Sequence, residues 1–179
     1  IQKNRISAGD DGINVRDDDG GHTTAIDTGA IVNILDNTIG FEGSDTVGRH
    51  GIHVEEDVVG NSTINIGRNN IGRAGAAVDN GIHFGGVVNG SHVNIFSNNH
   101  GIHADGHGIY FGGNLVDADI DINDNIINAD DDDSGNGDGI RFDGQVSGST
   151  TVNIGDGVGS NLNSGSSNII SGEDGIHFA

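Results

Sequence analysis

The chain has 179 residues with no cysteine and no proline, and its 27 Asp and Glu against 7 Lys and Arg give a formal net charge of −20. Disulfides are excluded, so acidic a chain repels nucleic acid and anionic membranes, and its apolar runs are too short to span a bilayer. Hydrophobic residues at 32% and aromatics at 4% lie close to the composition of disordered chains, so a fold has to come from how those residues are placed.

The placement is periodic. From the N-terminus, Ile1-Gln2-Lys3-Asn4 matches the end of one strand and a turn, and Asn4 precedes Ile6. Gly12-Ile13-Asn14-Val15 opens a strand, Thr24-Ala25-Ile26 follows as a degenerate one, then Val32-Asn33-Ile34 alternates apolar and polar, and Asn37 precedes Ile39. The same order returns along the chain. Gly-Ile phrases stand at Gly51-Ile52-His53-Val54, Gly81-Ile82-His83-Phe84, Gly108-Ile109-Tyr110-Phe111, Gly139-Ile140-Arg141-Phe142 and Gly175-Ile176-His177-Phe178. Alternating phrases stand at Ile64-Asn65-Ile66, Val93-Asn94-Ile95, Ile120-Asp121-Ile122 and Val152-Asn153-Ile154. Asparagine turns fall at Asn70/Ile71, Asn99/Ile102, Asn125/Ile126 and Asn168/Ile169. By subtraction, successive Gly-Ile isoleucines are 39, 30, 27, 31 and 36 residues apart. Period-2 alternation rich in Val and Ile predicts β-strands. A repeat of this length predicts stacked units, each too small to bury a core alone.

This order resembles the repeat of right-handed parallel β-helix proteins, the pectate-lyase-like superfamily, over nearly the whole chain. The resemblance implies an all-β, single-stranded right-handed parallel β-helix of about six rungs, three short strands to a rung, spanning residues 1–179 as one continuous segment. It also implies that a substrate groove, where there is one, runs over the outward face of the Gly-Ile strands. The scaffold is shared by lyases, hydrolases, epimerases, tailspikes and surface passengers without catalysis, so the resemblance carries fold rather than activity.

Elementary geometry agrees with the stacking. Side chains alternate across a strand, and rungs ~4.8 Å apart would put Ile13, Ile52, Ile82, Ile109, Ile140 and Ile176 in one inward column. Val15, Val54, Phe84, Phe111, Phe142 and Phe178 would form a second. The turn asparagines suit a left-handed backbone position, and their stacked amides would bond into a ladder. A glycine opening each Gly-Ile strand permits a sharp bend. The absence of proline suits unbroken backbone ladders. The phrases at either end stop within a rung and carry no capping helix, which predicts an interior slice of a longer rod or a unit that stacks end to end.

The outward column of the Gly-Ile strands reads Asn14, His53, His83, Tyr110, Arg141 and His177, flanked by Glu55, Glu56, Asp57, Asp79, Asp105, Asp138, Asp143, Glu173 and Asp174. Of these, His53, His83, Tyr110, Arg141 and His177, with His107, are the candidate binding face. Paired carboxylates there would suit glycoside hydrolysis, yet a polar position in any repeat yields such a column by periodicity alone. The acids are expected to raise the histidine pKa values. His100, His103 and His107 fall within one rung and are candidate ligands for a transition metal; His50 and His53 flank another Gly-Ile pair. Asp130, Asp131, Asp132, Asp133 and Asp138 supply many oxygens in one loop, and calcium is the cofactor that would suit them, although no repeated Gly-Gly-x-Gly-x-Asp phrase accompanies them. No nucleophile elbow, phosphate loop or thiol is present.

These features favour a structural extracellular or cell-surface β-solenoid (stalk, adhesin passenger or filament subunit) with a repetitive acidic surface, and weigh against an enzyme. Its partners would be further copies end to end or more of a longer parent chain, with a glycan or cell-surface ligand as a further candidate and neither nucleic acid nor membrane insertion. The alternative is a carbohydrate-active hydrolase, lyase or epimerase, or a tailspike-like glycan-binding rod. Zero tryptophan and one tyrosine count against it, since sugar grooves use aromatic platforms.

Overall fold

The computed structural model describes residues 1–17, 24–40, 49–74, 77–129, 137–155 and 168–179. Those residues contain strands and turns and no helix, hence none long and apolar enough to cross a membrane. In chain order, β1 (Arg5–Ile6), β2 (Ile13–Val15), β3 (Thr24–Ile26), β4 (Ile31–Leu35) and β5 (Thr38–Ile39) lead into β6 (His50–Val54), β7 (Asp57–Val59), β8 (Thr63–Gly67) and β9 (Asn70–Ile71). Next come β10 (Asn80–Phe84), β11 (Val88–Asn89), β12 (His92–Phe96), β13 (Ile102–His103), β14 (Ile109–Phe111), β15 (Leu115–Val116), β16 (Asp119–Asn123) and β17 (Ile126–Asn128). The chain closes with β18 (Ile140–Phe142), β19 (Val146–Ser147), β20 (Thr151–Ile154), β21 (Ile169–Ser171) and β22 (Ile176–Phe178).

Every fourth strand pairs in parallel, so the chain is a β-solenoid with four sheets along its length. The Gly-Ile strands form a six-stranded sheet, β2-β6-β10-β14-β18-β22, and the asparagine-turn strands another, β1-β5-β9-β13-β17-β21. The alternating phrases form a five-stranded sheet, β4-β8-β12-β16-β20. A fourth sheet, β3-β7-β11-β15-β19, lies between the Gly-Ile and alternating strands. The coil therefore has four strands where the sequence pattern predicts three. Thr24-Ala25-Ile26 is the first member of that extra sheet. Its other members are strands of two or three residues such as Val88–Asn89 and Leu115–Val116, too short to show a period.

Both predicted inward columns form. Ile13 pairs with Ile52, Ile52 with Ile82, and so on through Ile109 and Ile140 to Ile176, each beside the matching Val or Phe. Ile52, Ile82, Ile109 and Ile140 are wholly buried. Phe84, Phe111, Phe142 and Phe178 stack face to face with centroids 4.6–5.1 Å apart. On the last strand Ile176 and Phe178 are exposed.

The asparagine ladder also forms, with two adjustments. Its members are Asn4, Asn37, Asn69, Asn98, Asn125 and Asn168, so Asn69 and Asn98 occupy the rungs in place of their neighbours Asn70 and Asn99. Each amide donates to the Oδ1 of the next, at 3.0, 3.0, 3.3, 2.7 and 3.0 Å. The same Oδ1 accepts the preceding asparagine's backbone N–H, for instance Asn69 N to Asn98 Oδ1 at 2.8 Å. The left-handed residue is the one before the asparagine: Lys3, Asp36, Arg68, Ser97 and Asp124 have φ between 54° and 58°. That turn aims the asparagine side chain inward, where it replaces water for the buried backbone groups of the corner.

The glycines that open the Gly-Ile strands serve space rather than bending. None of Gly12, Gly51, Gly81, Gly108 and Gly139 has a left-handed φ. A Cβ on Gly81 would meet Ile102 Cγ2 and the Gly108 carbonyl oxygen, and its equivalents are packed the same way.

Candidate functional site

The outward column of the Gly-Ile sheet is continuous, because β2, β6, β10, β14, β18 and β22 pair in register: Asn14 beside His53, then His83, Tyr110, Arg141 and His177. His53 stacks on His83 at 4.7 Å, and His83 stacks on Tyr110 at 4.8 Å, each pair nearly parallel. Three of these rings thus cover one another's faces and offer solvent their edges. Such edges donate and accept hydrogen bonds, but they are not the open platform on which a sugar ring packs.

Two polar clusters flank this stack. On one side Tyr110 Oη donates to Asp143 Oδ2 at 2.9 Å, Arg141 Nε donates to Asp143 Oδ1 at 2.7 Å, and Arg141 Nη1 donates to Asp138 Oδ2 at 2.9 Å. The backbone N–H of Asp138 donates to His107 Nδ1 at 3.0 Å, and the His107 ring tilts against Tyr110 at 5.0 Å. Burial tends to raise the Asp143 carboxyl, but the Tyr110 hydroxyl and the Arg141 guanidinium together hold it below its ordinary value. Burial and the bond to Asp143 push the Tyr110 phenol up. Asp138 and Asp143 are therefore engaged by one arginine, which suits a structural clasp, and the lowered Asp143 carboxyl is the opposite of what a general acid needs. His177 lies at the exposed end, with Nδ1 3.0 Å from Asp174 and 3.9 Å from Asp138.

On the other side His50, the first residue of β6, is buried and packs edge-on against both His53 and His83, with centroids at 4.6 and 4.5 Å. His50 Nε2 is 3.2 Å from His83 Nδ1, and His50 Nδ1 is 3.3 Å from Asn80 Nδ2. His53 Nδ1 is 2.9 Å from Asp11 Oδ2. The tautomers follow in sequence. The His107 backbone N–H donates to Asn80 Oδ1 at 3.0 Å, so Asn80 presents its NH2 to His50 Nδ1, and His50 donates through Nε2 to His83 Nδ1. Burial, then the neighbouring His50 and His53, lower the His83 pKa to about 3. Burial is also the largest cause of the lowered values at His50 and His107. The expectation that flanking acids raise these pKa values is thus corrected: desolvation outweighs attraction to carboxylates.

The predicted trio His100, His103 and His107 does not gather into one cluster of ligand atoms. His100 is exposed in the turn after Asn98 and Asn99, His103 ends β13 on the asparagine-turn sheet, and His107 precedes β14 on the Gly-Ile sheet. Asp130, Asp131, Asp132 and Asp133 lie outside the described residues, and of that calcium candidate only Asp138 is seen, buried against Arg141. Among the described residues, groups of three close ligand atoms occur at His50/His53/His83, at His92/Asp119/Asp121 and at Asp138/Asp174/His177. The second was not read from sequence. His92 opens β12 with Nδ1 3.0 Å from Asp119, its register partner on β16, and Nε2 3.5 Å from Asp121; strand alternation from Val93 and Ile95 would have shown it outward.

Comparison of the chain with protein-family models, with curated proteins and with solved structures finds no match. No relative lends this face an activity.

Proposed function

We propose that the chain is a section of an extracellular or cell-surface β-solenoid rod, acting as a stalk, adhesin passenger or filament wall whose output is length, stiffness and a repeated acidic surface. The observation that carries this reading is like-on-like stacking in the inward columns and the asparagine ladder: Ile on Ile, Phe on Phe, Asn on Asn. A column that repeats serves extension, whereas an active site is built once. The coil is taken as right-handed, the hand that parallel crossovers overwhelmingly adopt, in keeping with the pectate-lyase-like β-helices it resembles. The formal net charge of −20 supports a solvated rod and opposes partnership with nucleic acid.

The carbohydrate-active reading has less behind it. Its best carboxylates share Arg141, and its aromatic rings hide their faces in a stack. Electron microscopy of the material with its native ends tests the proposal. Uniform rods or filaments with an axial repeat near ~4.8 Å support it; compact single particles that cleave or bind a polysaccharide overturn it.

A further inference from the structure

We propose that His50, His53 and His83, with the Asp11 carboxylate beside them, form a binding site for one divalent transition-metal ion of the zinc class. The site is distinct from the His100/His103/His107 and Asp130–Asp133 candidates, and it does not depend on the rod function.

The geometry is close to that of a coordination shell. Imidazole nitrogens bind zinc at about 2.0–2.1 Å in a tetrahedron, which sets neighbouring ligand atoms roughly 3.3 Å apart. His50 Nε2 and His83 Nδ1 are already 3.2 Å apart. One ligand nitrogen from each of the three rings lies within 4.8 Å of the others, so closing the set asks the parallel His53 and His83 rings to rotate out of their stack while the backbone stays in place. The backbone is fixed: β6 and β10 pair in register with His53 beside His83 and His50 beside Asn80. Asp11 is anchored too. Its Oδ1 accepts the His50 backbone N–H at 3.2 Å while Oδ2 faces His53 Nδ1 at 2.9 Å, which fixes a carboxylate oxygen against the histidine cluster. The carboxylate also offsets the charge of a divalent ion in a half-buried site.

Asn80 sets the terms of binding. In the metal-free network His50 carries its proton on Nε2, the atom that faces His83. Coordination through Nε2 moves that proton to Nδ1, where it confronts the Asn80 NH2 at 3.3 Å. Asn80 cannot simply turn over, because its Oδ1 accepts the His107 N–H. An aspartate at 80 would accept from both His50 Nδ1–H and His107 N–H, and so would favour the tautomer that the ion requires. The wild-type chain is thereby a moderate site, and Asn80→Asp should make it a stronger one.

The test is titration of the full chain with Co(II) at pH 7.5, read by visible absorption and by displacement with Zn(II). Four-coordinate, imidazole-rich Co(II) absorbs strongly, whereas Co(II) on exposed carboxylates is six-coordinate and pale. The expected result is a saturable band at one equivalent, lost in His83→Gln and in His53→Gln and retained in His177→Ala, which removes a histidine from a different cluster. Asn80→Asp should tighten binding about tenfold, the low end of outer-shell effects. Circular dichroism of each variant separates loss of the site from loss of the fold, and should His83→Gln fail to fold, His53→Gln decides. Absence of the band in the wild type, its survival in His53→Gln, or its loss in His177→Ala overturns the assignment. Unchanged or weaker binding by folded Asn80→Asp overturns the role given to Asn80.

Discussion

Replacing Asn98 by alanine should cost about 3 kcal/mol of stability, far more than a polar residue of a solenoid surface would. Asn98 is wholly buried. Its Oδ1 accepts from Asn69 N at 2.8 Å and from Asn69 Nδ2 at 3.3 Å, and its Nδ2 donates to Asn125 Oδ1 at 2.7 Å and to Ile66 O at 3.4 Å. Alanine leaves the Asn69 backbone N–H without its acceptor in a corner closed to solvent, a loss of about 1–3 kcal/mol, and removes donors to two carbonyl oxygens at about 1 kcal/mol each. Asn69 Nδ2 keeps its bond to Ile34 O and Asn125 Oδ1 keeps the Asn98 backbone N–H, which holds the total at the low end of the resulting range of about 3–5 kcal/mol. Urea denaturation followed by far-UV circular dichroism measures it, with Asn33→Ala as the reference. Asn33 is exposed and its Oδ1 accepts only a surface bond from Asn65 at 2.9 Å, so that change should stay within about 0.5 kcal/mol. Asn98→Asp sharpens the case. Its carboxylate restores the acceptor but turns a second oxygen toward Asn125 Oδ1 and Ile66 O, so at neutral pH it should cost at least as much as alanine. Protonation lets that oxygen donate, so the aspartate variant should recover stability relative to the parent as pH falls. An Asn98→Ala cost no larger than that of Asn33→Ala would refute the view that the buried ladder holds the corner.

Gly81→Ala should destabilise by about 1–3 kcal/mol through overpacking, because its Cβ meets Ile102 Cγ2 and the Gly108 carbonyl oxygen; pairing it with Ile102→Leu, which lacks the Cγ2 methyl, should recover part of the loss in a thermal melt, and no recovery would point away from steric crowding. Ile109→Asp places an unpaired charge at a position with no solvent exposure, so the cooperative unfolding transition should disappear; a variant that melts like the parent would contradict the inward column. Stability should also fall in mild acid. His83 titrates near 3 in the folded chain against an ordinary 6.5, so its contribution is complete above about pH 6.5 and drains away as pH falls toward 3. At pH 5 the full linkage value is about 2 kcal/mol, roughly halved by solvent at the ring edge; denaturation midpoints at pH 7.5 and 5 measure it, and His83→Gln should show a shallower decline.

Most of the fold was legible because its signals repeat. Six Gly-Ile phrases and five alternating phrases fix which residues face inward, and register then follows from matching like with like. What stayed hidden is what has no period. β11 and β15 are two residues each, shorter than one cycle of strand alternation, so the fourth sheet reads as loop. In Asn69-Asn70 and Asn98-Asn99 composition offers two equal candidates, and only the left-handed residue before each pair decides between them. At the candidate face the column itself was predictable, but His50 was not. Alternation places residues three apart on opposite faces, yet His50 sits at the corner where the coil enters the sheet, and there it turns onto the same side as His53. Asn80, which sets the tautomers of that cluster, carries no motif at all.

The likeness of neighbouring rungs has a cost during assembly. An isoleucine on β6 finds the same partner chemistry on β14 as on β10, so the apolar columns cannot tell one rung from the next but one. A chain that skipped a rung would still bury Ile on Ile and set Asn on Asn. What distinguishes the rungs are the pairs that occur once: Arg68 with Asp36, Tyr110 and Arg141 with Asp143, His53 with Asp11. These groups act as address marks on an otherwise anonymous stack. Erasing them should leave the finished solenoid nearly as stable while making it slower to find its order.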